Sequence, residues 1–296
     1  LLAVVDVNQN TAYSLSARQT PPIAASRKNK DLPVTEESRV DAYLSHIGEN
    51  RKYLPSEVRH LAGDGFFSKE KFVTGVKNMG LDMVGKLRID ARLRHLHQGK
   101  KNILGRPKKY AEKFDISDLN QLEFERDIQV DKETTIKLYT AIVNSVSMRR
   151  DLRIVFLLDE NNKEKTGRAL LFSTDLNLSA FDIYRFYKAR YQIEFVFRDA
   201  KQFTGLVDCQ SPSKARLDYH FNASLVALNM AKIEDRLQRG IDAPQGVFSM
   251  SSCKTRFCND NLIGRIFSML GFDLTLKKET PEFKELRNYG TISNFA

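Results

Sequence analysis

Apolar residues from Leu1 to Val5 end at Asp6, Asn8-Gln9-Asn10 supplies a turn, and Thr11 to Leu15 resumes a strand pattern, which predicts an antiparallel hairpin. The proline-bearing stretch from Thr20 to Pro33 reads as a loop. Glu36 to Ile47 then carries Val40, Tyr43, Leu44 and Ile47 at helical spacing. His60 to Asp64 reads as a short strand ending at its aspartate, Ser68 to Met79 as a helix turning Phe72, Val73 and Val76 inward, and Leu81 to Leu87 as a strand. Three further strands are predicted at Thr135 to Val146, Leu152 to Leu158 and Arg168 to Ser173, with Asn161-Asn162 turning between the last two. Helical periodicity dominates from there to about Arg239, and shorter helices are expected in the tail.

This order makes the chain an α/β protein in which residues 98–172 form a β-rich insertion. With 296 residues and 42% of them hydrophobic, a large buried core is expected. No apolar run approaches the roughly 18 residues of a membrane span, and no secretory leader is recognisable, so a soluble, cytoplasmic protein is expected. The chain opens on Leu1, already inside a strand pattern, and a preceding segment is expected. Cys209, Cys253 and Cys258 lack the spacing of a zinc site or a disulfide framework.

Charge narrows the partner. The net charge of +10 favours polyanions, and the basic residues are not spread evenly. Between Lys86 and Lys113 stand ten Lys or Arg and only two acidic residues, with Gly105-Arg106-Pro107-Lys108-Lys109 breaking regular structure at the centre. Arg106, Lys108 and Lys109 are candidate contacts to DNA phosphates; a solvated basic loop is the plainer reading. His95 and His97 lie in the same stretch without metal-ligand spacing.

The segment from Tyr187 to Lys201 carries the clearest chemistry. As one helix it would place Tyr187, Arg190, Glu194 and Lys201 within an arc of about 60°. Phe186, Ile193, Phe197 and Ala200 would form the adjacent apolar stripe, with Lys188, Gln192 and Asp199 turned elsewhere. A carboxylate flanked by cations and a phenol suits phosphodiester chemistry, because the carboxylate can ligate Mg²⁺ while Arg, Lys and Tyr bind phosphate oxygens. Glu194 and Arg198 also form an ordinary i, i+4 pair of the kind that decorates any solvated helix. A second candidate is Asp64, between Gly63 and Gly65 at a strand end, where α/β enzymes gather ligands. The competing reading makes it a turn residue before a helix capped by Ser68.

Together these segments resemble the insertion-sequence transposases with a DDE active site and a Tyr-(2)-Arg-(3)-Glu-(6)-Lys signature, the type 4 insertion-sequence group. Tyr187, Arg190, Glu194 and Lys201 match that signature without a gap. The likeness extends to the Leu-Ala-Val-Val-Asp start, to Asp-Gly-Phe-Phe-Ser-Lys-Glu-Lys-Phe from Asp64, to Gly-Arg-Pro-Lys-Lys-Tyr and to Phe-Arg-Asp-Ala-Lys-Gln-Phe-Thr-Gly-Leu, across roughly residues 1–235. It implies an RNase H-like catalytic core interrupted by a β-rich insertion, with a helical C-terminal part. The divisions are then 1–97 and 173–239 for the two parts of the core, 98–172 for the insertion and 240–296 for the tail.

By the same resemblance Asp64 is the second acidic residue of the triad and Glu194 the third, and both are metal ligands for two Mg²⁺ (or Mn²⁺) ions. Tyr187, Arg190 and Lys201 would hold DNA beside the cleaved end. The family's first Asp lies on a strand preceding Leu1, so no residue here matches it; Asp6, the nearest stand-in, reads better as a turn initiator. The function implied is metal-dependent cleavage and strand transfer at insertion-sequence ends. Double-stranded DNA is the partner and a homodimer is expected in the synaptic complex. The alternative is a catalytically inactive DNA-binding remnant lacking the first acidic residue. Another RNase H-like nuclease that cuts without joining is a third reading, whereas a protein-binding module leaves Tyr187, Arg190, Glu194 and Lys201 as coincidence.

Overall fold

The computed structural model describes residues 1–20, 39–97, 110–132, 134–159, 167–239, 248–272 and 280–292. Its strands are β1 (Leu2–Asp6), β2 (Thr11–Ser16), β3 (His60–Ala62), β4 (Asp82–Leu87), β5 (Leu93–Leu96), β6 (Tyr110–Lys113), β7 (Glu123–Gln129), β8 (Thr135–Ser145), β9 (Arg150–Asp159) and β10 (Arg168–Ser173). Its helices are α1 (Arg39–Asn50), α2 (Glu70–Asn78), α3 (Ala180–Ala189), α4 (Gln192–Phe203), α5 (Lys214–Arg239), α6 (Met250–Met269) and α7 (Pro281–Asn288). Contacts divide the chain into two units: Gln19–Tyr191 is one, and Leu1–Arg18 with Gln192–Ala296 is the other.

The continuous unit is organised by an eight-stranded mixed sheet in the order β3-β4-β10-β9-β8-β5-β6, with β7 also paired to β8. Its most apolar strand shows why. Leu152, Ile154, Val155, Phe156, Leu157 and Leu158 of β9 are all buried, so this strand has apolar contacts on both faces rather than an alternating pattern. Helix α3 packs Ala180 and Ile183 against Val84, Leu138, Val155, Leu157 and Leu171. Its first turn is held twice over: Ser179 Oγ accepts from Asp182 N at 3.0 Å, and the Glu125 carboxylate accepts from Ala180 N and Phe181 N at 3.2 Å each. Helix α2 buries Phe72, Val73 and Val76, the face expected from their spacing. Strands β8, β9 and β10, expected within a separate insertion, share this sheet with β3 and β4, since β10 pairs antiparallel with β4.

The second unit joins the opening hairpin to the later helices. Val196 and Ala200 of α4, Leu225 and Leu228 of α5, Leu206 and Ala12 of β2 form one apolar cluster. The outer edge of β2 is closed by side chains. Asn229 of α5 accepts from Ser14 N at 3.0 Å and donates to Ser14 O at 2.8 Å. One heptad earlier, Asn222 does the same for Ala17, with both bonds at 2.9 Å. Lys232 Nζ adds a bond to Ala12 O at 2.8 Å. Two amides thereby supply the donor and acceptor pattern that a neighbouring strand would offer.

Toward the tail, Asn259 of α6 donates to Arg287 O and Tyr289 O at 2.9 Å each, tying α7 to α6. Helix α6 spans 20 residues, longer than the short tail helices expected from the sequence. No described helix is long and apolar enough to cross a membrane.

Asn229→Ala leaves both backbone groups of Ser14 without a partner. It is expected to destabilise the protein by about 2 kcal/mol in urea denaturation, the usual penalty for half-buried polar groups left unpaired.

Candidate active site

Strand β3 pairs in parallel with β4 through His60, Leu61 and Ala62, and Gly63 N donates to Val84 O at 3.0 Å. The next residue is Asp64. Its Oδ1 accepts from Phe66 N at 2.8 Å, capping a single 3-10 turn over Gly65–Phe67, and its side chain is exposed. Ser68 Oγ donates to Lys86 O at 2.7 Å and so pins the following residues to β4. The pin is close because Gly85 has no side chain: a Cβ there would stand 2.7 Å from the buried Phe172 ring and 3.3 Å from Ser68 Oγ. Asp64 therefore caps a turn at the carboxyl end of a strand, but Ser68 is not the helix cap expected of it: α2 starts after Lys69, and the Ser68 hydroxyl is spent on Lys86 O.

The signature segment is not one helix. Helix α3 ends at Ala189 and α4 begins at Gln192. Arg190 N bonds to Tyr187 O and Tyr191 N to Lys188 O, three-residue contacts that tighten and close the last turn. The single arc expected for Tyr187, Arg190, Glu194 and Lys201 therefore does not apply. Tyr187 and Arg190 belong to the continuous unit, and Glu194 and Lys201 to the other.

Within the continuous unit, Tyr187 feels the charges of both Asp64 and Arg190. The Arg190 guanidinium stands 5.5 Å from the centre of the Tyr187 ring and 4.7 Å from that of Tyr191. Burial raises the Tyr187 phenol above its ordinary range; Arg190 pulls it down, while Tyr191 and Asp64 push it further up. The phenol thus stays protonated at neutral pH and can donate to an anionic oxygen.

In the other unit, Glu194 and Lys201 are seven residues apart on α4 and both exposed. The buried line of this helix is Gln192, Val196, Asp199 and Ala200, whereas Phe197 is 36% exposed. The inward stripe expected from Ile193 and Phe197 is thus rotated. Two polar residues can be buried because each is satisfied: Gln192 Nε2 donates to Asn10 Oδ1 at 2.9 Å, and Arg198 holds Asp199 Oδ1 through Nη2 at 2.8 Å.

Of the basic segment, Lys86, Arg88, Arg92, Arg94 and Lys113 are exposed, with Arg94 facing Lys113 across the β5–β6 pair. Arg106, Lys108 and Lys109 lie outside the described residues. Asp6 accepts from Asn8 N and Gln9 N at 3.0 and 2.9 Å, the bonds of a turn initiator. Among the described residues no group of three or more His, Cys, Asp or Glu is gathered for a metal ion. Asp64 and Glu194 nevertheless offer exposed carboxylate oxygens, the donor type that Mg²⁺ and Mn²⁺ prefer.

A family model described as the transposase DDE domain matches residues 24–230, well over half of the chain. The chain belongs to the DDE transposase family. The matched span includes Asp64, Tyr187, Arg190, Glu194 and Lys201, and the mixed α/β architecture is consistent with the RNase H-like fold of such transposases. No curated protein matches the chain. DDE transposases as a family recombine DNA through nuclease and strand-transfer chemistry and use divalent metals. Reading the sequence missed three cations of this transposase, Lys232, Arg236 and Arg239, although their spacing of four and three residues on one helix face was visible.

Asn caps a turn as well as Asp does, so Asp64→Asn is expected to keep stability within about 0.5 kcal/mol, whereas Asp64→Ala costs about 1 kcal/mol. Removing the carboxylate charge in Asp64→Asn also lowers the pH at which the Tyr187 phenol ionises. NMR titration of ring-labelled tyrosine checks the second outcome, and urea denaturation the first.

Proposed function

We propose that this chain is a transposase of the type 4 insertion-sequence group, catalysing metal-dependent DNA cleavage and strand transfer at element ends. One observation carries the reading. Asp64 stands at a strand end within the electrostatic reach of a protonated Tyr187 that is itself flanked by Arg190, and all three belong to the family's matched span. In this reading Asp64 and Glu194 each supply a carboxylate ligand, and a bound divalent ion provides the Lewis acid for phosphodiester chemistry. Tyr187 donates its phenolic hydrogen to a nonbridging phosphate oxygen. Arg190 and Lys201 offset phosphate charge. The exposed cations from Lys86 to Lys113, together with Arg106, Lys108 and Lys109, draw the duplex in through sequence-independent contacts.

The rival is a chain that grips DNA through the same exposed cations without cutting it. Incubating the purified chain with supercoiled plasmid carrying the element ends, in Mg²⁺ or Mn²⁺, separates the two. We expect nicked product, and we expect Asp64→Asn and Glu194→Gln each to slow its formation by about 100-fold or more while duplex affinity stays within about threefold. Tight binding by the wild-type chain with no metal-dependent nicking establishes the rival.

A further inference from the structure

Within the hairpin-and-helix unit lies a cleft of about 580 Å³, lined by none of the four signature side chains. The β1–β2 turn, α4, α5 and Phe248 enclose it. Four cations line it, Arg198, Lys232, Arg236 and Arg239, against two carboxylates, Asp6 and Asp199. Asp199 is already matched by Arg198, and the Asp6 carboxylate is turned into its own loop. The lining cations therefore outnumber its carboxylates by two, and three of them, Lys232, Arg236 and Arg239, follow along α5 at intervals of four and three residues, with Asp235 of the same helix holding Arg239 and Arg256.

Two of these cations are held in an expensive state. Lys232 is 5% exposed, and its ammonium bonds to Ala12 O; burial pulls it below its ordinary range. Arg239 bonds Asp235 through Nη2, while its Nε and Nη1 are buried and have no partner among the described residues. A guanidinium with two unsatisfied buried donors costs stability unless something accepts from it. Tyr13, Gln9 and Asn10 add hydroxyl and amide groups to the same wall. Cations converging on a concave, partly desolvated surface attract an anion far more strongly than the same charges spread over a convex one.

We infer that this cleft binds phosphate, and that its occupant is the backbone of a DNA strand. The identity of the occupant rests on the DNA-handling function proposed above; the anion site itself rests on the cleft. DNA suits it better than a small anion because the cations run along a helix face, Lys232 to Arg239 spanning about 10 Å at helical rise, farther than the reach of a single phosphate group.

The test uses the full chain and a fluorescein-labelled duplex titrated at stepped salt concentrations. Arg236→Gln is expected to weaken binding about fivefold or more and to reduce the slope of log affinity against log salt by about one. Arg239→Gln is expected to act in the same direction; should it unfold through loss of its Asp235 pair, which thermal melting would reveal, Arg236→Gln carries the test. A second arm replaces DNA with inorganic pyrophosphate and follows the melting temperature. Wild-type affinity and slope retained in Arg236→Gln overturn the DNA assignment. If pyrophosphate then still stabilises the wild type but not the variant, the cleft is a small-anion site; if it stabilises neither, there is no site. The readout is binding, so a wild-type chain that binds through Arg236 but never nicks counts against the proposed catalysis alone, and a chain that nicks while ignoring Arg236→Gln counts against the cleft alone.

Discussion

The outer edge of β2 is the constraint on which the discontinuous unit depends. A two-stranded ribbon with a bare edge is marginal in water, since its backbone groups on that side have only solvent for partners. Here Asn222 and Asn229 present amides to Ala17 and Ser14, and Lys232 reaches Ala12. Because the two asparagines are one heptad apart, roughly 10.5 Å of helix, they match the roughly 10 Å between Ser14 and Ala17 on the extended chain, and sliding the helix by a single turn would break all five bonds. The grip thus sets which residues of α5 stand beside the β1–β2 turn. It also explains the placement of α4, whose Val196 and Ala200 complete the apolar cluster between hairpin and helix and leave Glu194 and Lys201 facing outward.

The continuous unit solves a different problem, that of holding an exposed carboxylate still. Asp64 follows a strand of three residues, too short to be rigid by itself. Its position comes from neighbours: parallel pairing to β4, the Gly63 bond to Val84, the cap on Phe66 and the Ser68 pin on Lys86. Tyr187 is set separately, by α3 packing on the sheet and by the Glu125 carboxylate at the first turn of that helix. The carboxylate and the phenol are therefore both anchored to one sheet, and their electrostatic coupling is a property of that sheet rather than of a flexible loop.

Much of this was legible beforehand where a single period dominates. Strands β8, β9 and β10 and helix α2 stand where their patterns put them, and the signature spacing and the Asp64 segment pointed to the DDE transposases, the broader family that the comparison then showed. What escaped notice has a common cause, polar groups whose partners are distant in sequence. Asp199 and Gln192 read as surface residues, and they are buried because Arg198 and Asn10 satisfy them. The interruption after Ala189 was invisible because no Pro or Gly marks it; tightened backbone bonds do the work instead. Strands β5 and β6 hid in a basic stretch whose few apolar residues, such as Leu93 and Leu96, are too sparse to show a period.

The bonds between β2 and α5 join residues more than 200 positions apart, Ser14 to Asn229 among them. During synthesis the hairpin leaves the ribosome long before its partner exists. At about 5–20 residues per second the wait is on the order of 10–40 seconds, whereas residues 19–191 form an uninterrupted stretch that can collapse meanwhile. Assembly is thereby ordered in time: the interior sheet comes first, and the opening ribbon stays available to chaperones, and vulnerable to proteases, until α5 emerges to claim it.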